Sequence, residues 1–167
     1  MENINVQKRD FNLKAKKMRR LGIIPGSVSG KSFPDSISIQ MDETTARKLV
    51  RLKREGSKLM LNIEGQTIPV QIKEKSLDAV NNDILHISFQ ALVADEKVNS
   101  IIHLILVNED KVKGVLDQMQ FEIPYASLPE DMIDTITIDL DGMAEGTILT
   151  VGEIPELKSG KIELLVD

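Results

Sequence analysis

The sequence contains no cysteine and no tryptophan, and only 3% of its 167 residues are aromatic. The absence of cysteine excludes disulfides, thiolate zinc sites and thiol nucleophiles, and it is typical of a reducing compartment. Hydrophobic residues make up 41% of the chain, so Ile, Val, Leu and Met must fill the core. The length suits one large domain or two small ones.

Long apolar runs are also absent. No run approaches the ~20 residues that span a bilayer, and the first six residues lack the apolar segment of a signal peptide. We therefore expect a cytoplasmic protein without a membrane partner. His86 and His103 are the only histidines, too few for the common zinc sites, and we expect no metal or other cofactor.

The charge is distributed unevenly along the chain. Residues 1–93 hold 16 Lys and Arg against 10 Asp and Glu, whereas residues 94–167 hold 5 against 16. The first part is therefore net +6 and the second net −11, which together give the overall −5. A basic half is the usual footprint of nucleic-acid binding, and the asymmetry predicts two domains, 1–93 and 94–167, with different electrostatic partners.

Strand patterns dominate both parts, which predicts a mainly β protein with few helices. A period of two places alternate side chains on one face of a sheet. In the first part, strands are predicted at 3–8, around Ile37 and Ile39, at 59–63, at 68–72 and at 84–92, with a hairpin at Glu64-Gly65. In the second part, 101–107, 120–125, 136–140 and 164–166 predict a mainly antiparallel domain.

One helix is predicted between these strands. Asp42 is a candidate N-cap, Ala46, Leu49 and Val50 form an apolar stripe, and Gly56 is expected to end the helix. The spacing of Arg47, Arg51 and Arg54 predicts that they share one face of the helix.

Two clusters of cations could bind a polyanion. The first comprises Lys8, Arg9, Lys14, Lys16, Lys17, Arg19 and Arg20, and the second comprises Arg47, Lys48, Arg51, Lys53, Arg54 and Lys58. Either cluster alone could be no more than a solvated face. Two clusters in one half of an otherwise acidic protein favour a continuous phosphate-binding surface, since each neutralised phosphate releases counterions.

A phosphate-binding loop is suggested by Gly30-Lys31-Ser32, but the spacing is wrong. The motif needs a glycine where Pro25 stands, and Gly26 is one residue too close. Phe33-Pro34-Asp35 also follows where a helix should begin. We therefore reject nucleotide binding.

The second half is rich in carboxylates without forming a recognisable site. Asp139-Leu140-Asp141-Gly142 lacks the acidic residue two positions earlier that a calcium loop requires, so its aspartates are expected on the solvent face of a strand. His103, flanked by apolar residues, is expected to be a satisfied or edge histidine. Nothing supplies a nucleophile, an acid and base pair or a cofactor motif, so we expect neither an enzyme nor a small-molecule substrate.

The order and spacing of several segments resemble the bacterial ribosomal protein L25 family and its longer relatives, the Ctc general stress proteins. The segments are Lys16-Lys17-Met18-Arg19, Gly22-Ile23-Ile24-Pro25-Gly26 with Gly30, Ile84-Leu85-His86-Ile87-Ser88-Phe89, Ile123-Pro124, Leu128-Pro129, Ile138-Asp139-Leu140 and Gly146-Thr147-Ile148 with Val151. The resemblance spans nearly the whole chain. It implies a six-stranded, barrel-like amino-terminal domain that binds the loop E region of 5S rRNA in the large ribosomal subunit, and an antiparallel carboxy-terminal domain.

The resemblance also implies RNA-binding residues. Lys16, Lys17 and Arg19 would contact phosphates or groove edges, and His86 would lie on the sheet that faces the RNA. Charge alone adds Lys8, Arg9, Lys14 and Arg20.

Some positions depart from the family pattern. Ser29 replaces a signature tyrosine, Ser88 an aspartate and Ser76 a glutamine, while Phe11-Asn12-Leu13 replaces a glycine-lysine-glycine turn. The phosphate-directed cations are retained while candidate base-reading groups are not, which predicts weaker or less specific binding. The alternative is a stress-related adaptor whose acidic domain binds a protein partner.

Overall fold

The structure is a computed structural model that describes residues 3–31 and 33–165. The chain folds into two compact units, Met1–Val93 and Ala94–Asp167, each with its own hydrophobic core. Unit 1 contains, in chain order, β1 (Asn3–Lys8), α1 (Ala15–Arg20), β2 (Ile23–Gly30), β3 (Phe33–Asp42), α2 (Glu43–Leu52), β4 (Lys58–Ile63), β5 (Gln66–Leu77) and β6 (Ile84–Ala91).

The six strands of unit 1 form a closed barrel in the order β1-β3-β2-β6-β5-β4. The β1–β4 and β2–β6 pairs are parallel, and the other pairs are antiparallel. The β2–β6 pair approaches closely at Gly26, where an added Cβ would lie 2.7 Å from the carbonyl oxygen of Ile87. The barrel interior holds aliphatic side chains together with Phe89, which is fully buried. The predicted barrel-like domain is thus confirmed.

The predicted hairpin at Glu64-Gly65 joins β4 to β5. Both residues have positive φ angles, 50° and 86°, as a two-residue type I′ turn requires. The turn sets the register that pairs Ile63 with Gln66 and Leu61 with Ile68. The apolar side chains of both strands therefore face the core together.

The predicted helix is α2, which packs Ala46, Leu49 and Val50 against the barrel core. Asp42 occupies the N-cap position, although its side chain makes no capping hydrogen bond. The helix ends at Leu52, earlier than predicted, because Lys53 has an extended backbone. Arg54 therefore lies beyond the helix, and the prediction that it shares a helical face with Arg47 and Arg51 was wrong.

Two elements of unit 1 were not predicted. Helix α1 spans six residues and buries only Met18, so its sequence shows no apolar stripe. Strand β2 contains Pro25 and Gly26, which argue against a strand in sequence, yet both residues are buried between β3 and β6. Because β2 occupies Ile23–Gly30, the rejected phosphate-binding loop is a strand and turn; Ser32 lies outside the described residues.

Unit 2 is built on a four-stranded sheet in the order β10-β8-β7-β9. The strands are β7 (Val98–Val107), β8 (Glu122–Ser127), β9 (Thr135–Asp139) and β10 (Glu163–Leu164). Short 3-10 helices within the described part of the unit are Glu109–Lys111, Pro129–Asp131, Val151–Glu153 and Pro155–Leu157. The β7–β8 and β8–β10 pairs are antiparallel and β7–β9 is parallel, so the sheet is mainly antiparallel as predicted. Val166, at the end of the last predicted strand, lies outside the described residues.

Tyr125 anchors the core of unit 2. Its side chain is fully buried, and its hydroxyl donates to the carbonyl oxygen of Ile133 at 3.2 Å while accepting from the Ile133 backbone N–H at 3.1 Å. Burial raises the pKa of the Tyr125 hydroxyl. This side chain fixes the segment that leads into β9.

Candidate nucleic-acid interface

The outer face of β6 carries a row of polar side chains. Ile87 and Phe89 point into the barrel and are fully buried, whereas His86, Ser88 and Gln90 alternate with them and are half-buried. His86 therefore lies on the outer face of β6, away from the core. A strand of period two presents such a row to one side.

The neighbouring strands extend this row sideways. In β5, Ser76 is directly opposite His86 and Gln71 is opposite Gln90. In β2, Ser27 lies beside Ser88 and Ser29 lies beside Gln90. Directly paired residues on adjacent strands share a face of the sheet. We call this set of residues the polar face, and its members are Ser27, Ser29, Gln71, Ser76, His86, Ser88 and Gln90. Of these, Gln71 is buried and the other six are half-buried.

Hydrogen bonds within the polar face hold its side chains in place. Gln71 Nε2 donates to Gln90 Oε1 at 2.8 Å, and the Ser29 hydroxyl donates to the carbonyl oxygen of Phe89 at 3.4 Å. Ser88 Oγ lies 3.3 Å from His86 Nδ1. The hydroxyl and imidazole groups are thus ordered before any ligand arrives, which lowers the entropic cost of binding.

His86 lies in an electropositive, partly dehydrated environment. Burial lowers the pKa of His86, and the nearby charges of Arg9 and Arg19 lower it further, while Glu74 opposes them. Its ordinary pKa is already about 6.5, so the imidazole is neutral at neutral pH. A neutral imidazole offers one donor and one acceptor rather than a charge.

Cations of α1 lie beside the polar face. The Arg19 guanidinium donates to the carbonyl oxygen of Leu85 at 3.3 Å, which ties α1 to β6 next to His86. Lys16, Lys17 and Arg20 are exposed on the same helix, and Lys14 is its exposed N-cap residue. The structure therefore brings α1, Arg9 and the β6 row together.

Other predicted cations lie elsewhere. Lys8, at the end of β1, pairs with Glu64 of the β4–β5 turn at 3.7 Å. On α2, Arg47 pairs with Glu43 at 2.6 Å and with Asp83 at 4.0 Å.

Carboxylates interrupt the basic surface. The groove beside α1 is lined by Lys16, Arg19 and Arg20 but also by Glu43, Asp78 and Asp83. Glu43 is the first residue of α2, and Asp83 lies 4.0 Å from Arg47 of that helix. The expectation of one continuous basic face thus needs correction.

Comparison with known proteins identifies the family. Residues 4–89 match the family described as "Ribosomal L25p family", and residues 97–167 match "Ribosomal protein TL5, C-terminal domain". The chain belongs to the ribosomal L25p family. Its relatives include proteins named "Large ribosomal subunit protein bL25". The one from Akkermansia muciniphila is 32% identical over 149 residues, covering 87% of this chain and 73% of the relative. The one from Bacillus pumilus is 28% identical over 149 residues, covering 87% and 71%.

The two matches follow the carboxy-terminally extended form of the L25p family, as the Ctc-type resemblance predicted. The chain is thus a member of a ribosomal protein family and not an enzyme. The remaining candidate sites have structural roles. Asp139 accepts hydrogen bonds from Asn108 Nδ2 at 2.7 Å and from the Asp141 backbone at 2.9 Å, which lower its pKa. His103 lies on the central strand β7, 3.7 Å from Glu122.

Within residues 3–31 and 33–165, no group of histidine and carboxylate side chains has the arrangement of a metal site. Over the same residues, no helix has the length and apolarity that crossing a membrane requires.

Three residues of the polar face in this L25p family member were not among the RNA-binding residues predicted from the sequence. Ser27, Gln71 and Gln90 were not predicted, although the alternation of His86, Ser88 and Gln90 along β6 was visible in the sequence. Ser27 and Gln71 reach the face only through the pairing of β2 and β5 with β6. Strand β2 is distant from β6 in sequence, and the β5–β6 register shifts at irregularities within the pair, so neither pairing follows from the side-chain pattern of β6 alone.

Proposed function

We propose that this chain is a structural component of the large ribosomal subunit that binds the loop E region of 5S rRNA, in the cytoplasm, through the polar face and helix α1. The observation that carries the proposal is the register that sets neutral Ser, His and Gln side chains in rows beside the cations of α1. Relatives over most of the chain are named for the large ribosomal subunit, which supports the same assignment.

The chemistry of the polar face suits RNA. An RNA helix presents 2′-hydroxyls and base edges in a wide, shallow groove, where short hydroxyl and amide side chains can reach them. Ser27, Ser88 and a neutral His86 supply such donors and acceptors. The phosphates on either side would meet Lys16 and Lys17, whose charge positions the RNA without reading its sequence.

The serines of the polar face favour a binding mode of reduced specificity. The resemblance to the L25 family implies larger tyrosine, glutamine and aspartate side chains at the positions of Ser29, Ser76 and Ser88. A serine hydroxyl has a shorter reach and makes fewer directed hydrogen bonds. Phosphate contacts from α1 would then supply a larger share of the affinity, and binding would depend steeply on salt.

Electrophoretic titration against 5S rRNA and a loop E mutant tests the proposal. Lys16→Gln/Lys17→Gln removes two exposed cations of α1, and Lys113→Gln/Lys158→Gln removes two exposed cations of unit 2 as a matched control. Log affinity falls as log salt rises, and we expect the first variant to make this negative slope shallower by roughly 1.5–2. The control should leave the slope unchanged. Equal affinity of the wild type for both RNAs would refute recognition of loop E.

A second candidate is the adaptor, for which unit 2 provides an observation. Val115, Met119 and Ile148 of this acidic unit are 97%, 89% and 83% exposed. Exposed apolar side chains mark a protein-binding surface where they form a contiguous patch. Sedimentation separates the two candidates: a ribosomal component pellets with large subunits at moderate salt, whereas an adaptor stays in the supernatant.

A further inference from the structure

The loop between β1 and α1 carries an exposed aromatic side chain next to an arginine. Phe11 is 73% exposed, and the guanidinium carbon of Arg9 lies 5.3 Å from the centroid of its ring. Such a distance places the cation over the ring face, where the quadrupole attracts it. Arg9 lies over one face of the ring, and the high exposure of Phe11 leaves ring surface accessible to a ligand.

Hydrogen bonds fix this loop to the barrel. The Asp10 backbone N–H donates to Gln40 Oε1 at 3.0 Å, and Gln40 Nε2 donates to Gln7 Oε1 at 3.4 Å. The Asn12 backbone N–H donates to Asp10 Oδ1 at 3.0 Å, which closes a turn around Phe11. An exposed phenylalanine held on an ordered turn loses little entropy when it contacts a ligand.

The loop adjoins the polar face. The Arg9 backbone N–H donates to the carbonyl oxygen of Ser38 at 3.0 Å, and Ser38 pairs with Ser27 across β2 and β3. Ser27 lies beside Ser88 of the β6 row. The charge of Arg9 also acts on His86. The Arg9–Phe11 pair therefore borders the surface that would meet the RNA.

We propose that Phe11, backed by Arg9, is a stacking platform for an unpaired nucleobase of the bound RNA. The inference rests on the proposed function and deepens it, because it names the chemical group that the loop would take. Single-stranded loops and bulges expose base faces, and proteins bind those faces by stacking them on aromatic side chains. Stacking accepts any base, so the platform adds affinity without adding sequence preference.

Removal of the ring tests the inference by affinity. Phe11→Ala should weaken binding to 5S rRNA about five-fold to a hundred-fold, the range for loss of one stacked base. Phe11→Leu should weaken it similarly, since leucine keeps apolar area but lacks a π face. Leu52→Ala is the matched control, because Leu52 is 56% exposed at the end of α2, and its affinity should equal that of the wild type.

Fluorescence measures stacking independently of affinity, because the sequence has no tryptophan and an introduced one can be observed alone. Phe11→Trp should bind as tightly as the wild type, and stoichiometric 5S rRNA should quench its indole emission through base stacking. In Leu52→Trp the emission should not change.

The outcomes separate the two proposals. If the wild type binds 5S rRNA but Phe11→Ala or Phe11→Leu binds equally well, or Phe11→Trp is not quenched, the platform is refuted and the proposed function stands. If the wild type does not bind 5S rRNA, both are refuted.

Discussion

At the scale of single residues, His86 shows how position sets chemistry. It is flanked by the Ser88 hydroxyl and influenced by Arg9 and Arg19, and it is partly buried on the outer face of β6. Burial and positive neighbours both oppose its protonation. In the free protein it is therefore a hydrogen-bonding group and not a cation.

The pKa of His86 gives a prediction for the free protein. Because its folded-state pKa lies below the unfolded value of about 6.5, the unfolded chain binds the proton more readily once the pH falls below that value. The free energy of unfolding should therefore decrease as the pH falls from about 6.5 through the folded pKa. His86→Gln should lose less stability over this range. Urea unfolding at several pH values measures the difference, and identical pH profiles would contradict the account.

Bound RNA should raise the pKa of His86, which is lowered in the free protein. Phosphates near the polar face favour the imidazolium form, so the pKa of His86 should rise in the complex. Titration of the His86 ring protons by NMR, with and without 5S rRNA, measures this rise, and His86→Gln assigns the resonance. An unchanged midpoint would place the RNA away from His86.

What the sequence could predict at this scale depended on local pattern. His86 faces outward because β6 alternates, and alternation is visible in six consecutive residues. Phe11 gave no signal as a candidate site, because its exposure and its contact with Arg9 depend on the hydrogen bonds that fix the loop.

At the scale of elements, helix α1 combines a buried side chain that packs against unit 1 with exposed cations that would bind RNA. Met18 is fully buried on one side of the helix, while Lys16 and Lys17 are exposed on the other. Arg19 fixes the helix to β6 through the Leu85 carbonyl oxygen. A six-residue helix is unstable in isolation, so packing of Met18 must hold the cations in position.

We predict that Met18→Ala destabilises the protein by about 2–5 kcal/mol, since it leaves a cavity under a helix with one buried side chain. Lys17→Ala, on the exposed side of the same helix, should change the unfolding free energy by less than about 0.5 kcal/mol. Urea unfolding followed by circular dichroism compares the two. A cost below about 1 kcal/mol for Met18→Ala would show that α1 does not depend on this contact.

Most strands were predictable from sequence because their periodicity is local. The bounds of β1 and the β4–β5 hairpin agree with prediction, since alternation and the turn residues act over a few positions. Strand β2 was not predicted, because Pro25 and Gly26 suit it only in the presence of β3 and β6. Likewise, the end of α2 at Leu52 could not be obtained from the position of Gly56.

At the scale of the whole molecule, the split of charge follows the split into two units. Unit 1 has a net charge of +6 and unit 2 of −11. We expect the acidic unit to repel a phosphate backbone that comes within about a Debye length, and so to oppose non-specific binding of RNA. The sequence showed the division of charge directly, because composition needs no knowledge of contacts.

We predict that residues 1–93 alone bind 5S rRNA at least as tightly as the whole chain at low salt. Unit 1 has its own closed barrel and core, which allows it to fold by itself. Filter binding of both proteins at low and at physiological salt measures the difference, which should shrink as salt screens the charges. Weaker binding by a folded unit 1 would show instead that unit 2 contributes to the RNA contact.

The proposal that the polar face and α1 bind loop E is tested most directly by mapping the RNA contact with amide chemical shifts. The experiment uses the full-length protein and an RNA hairpin that contains loop E. We expect the largest changes on Ser27, His86 and Ser88 and on the exposed side of α1, with small changes on α2 around Arg51. Changes confined to α2 or to residues 94–165 would contradict binding through the polar face and α1.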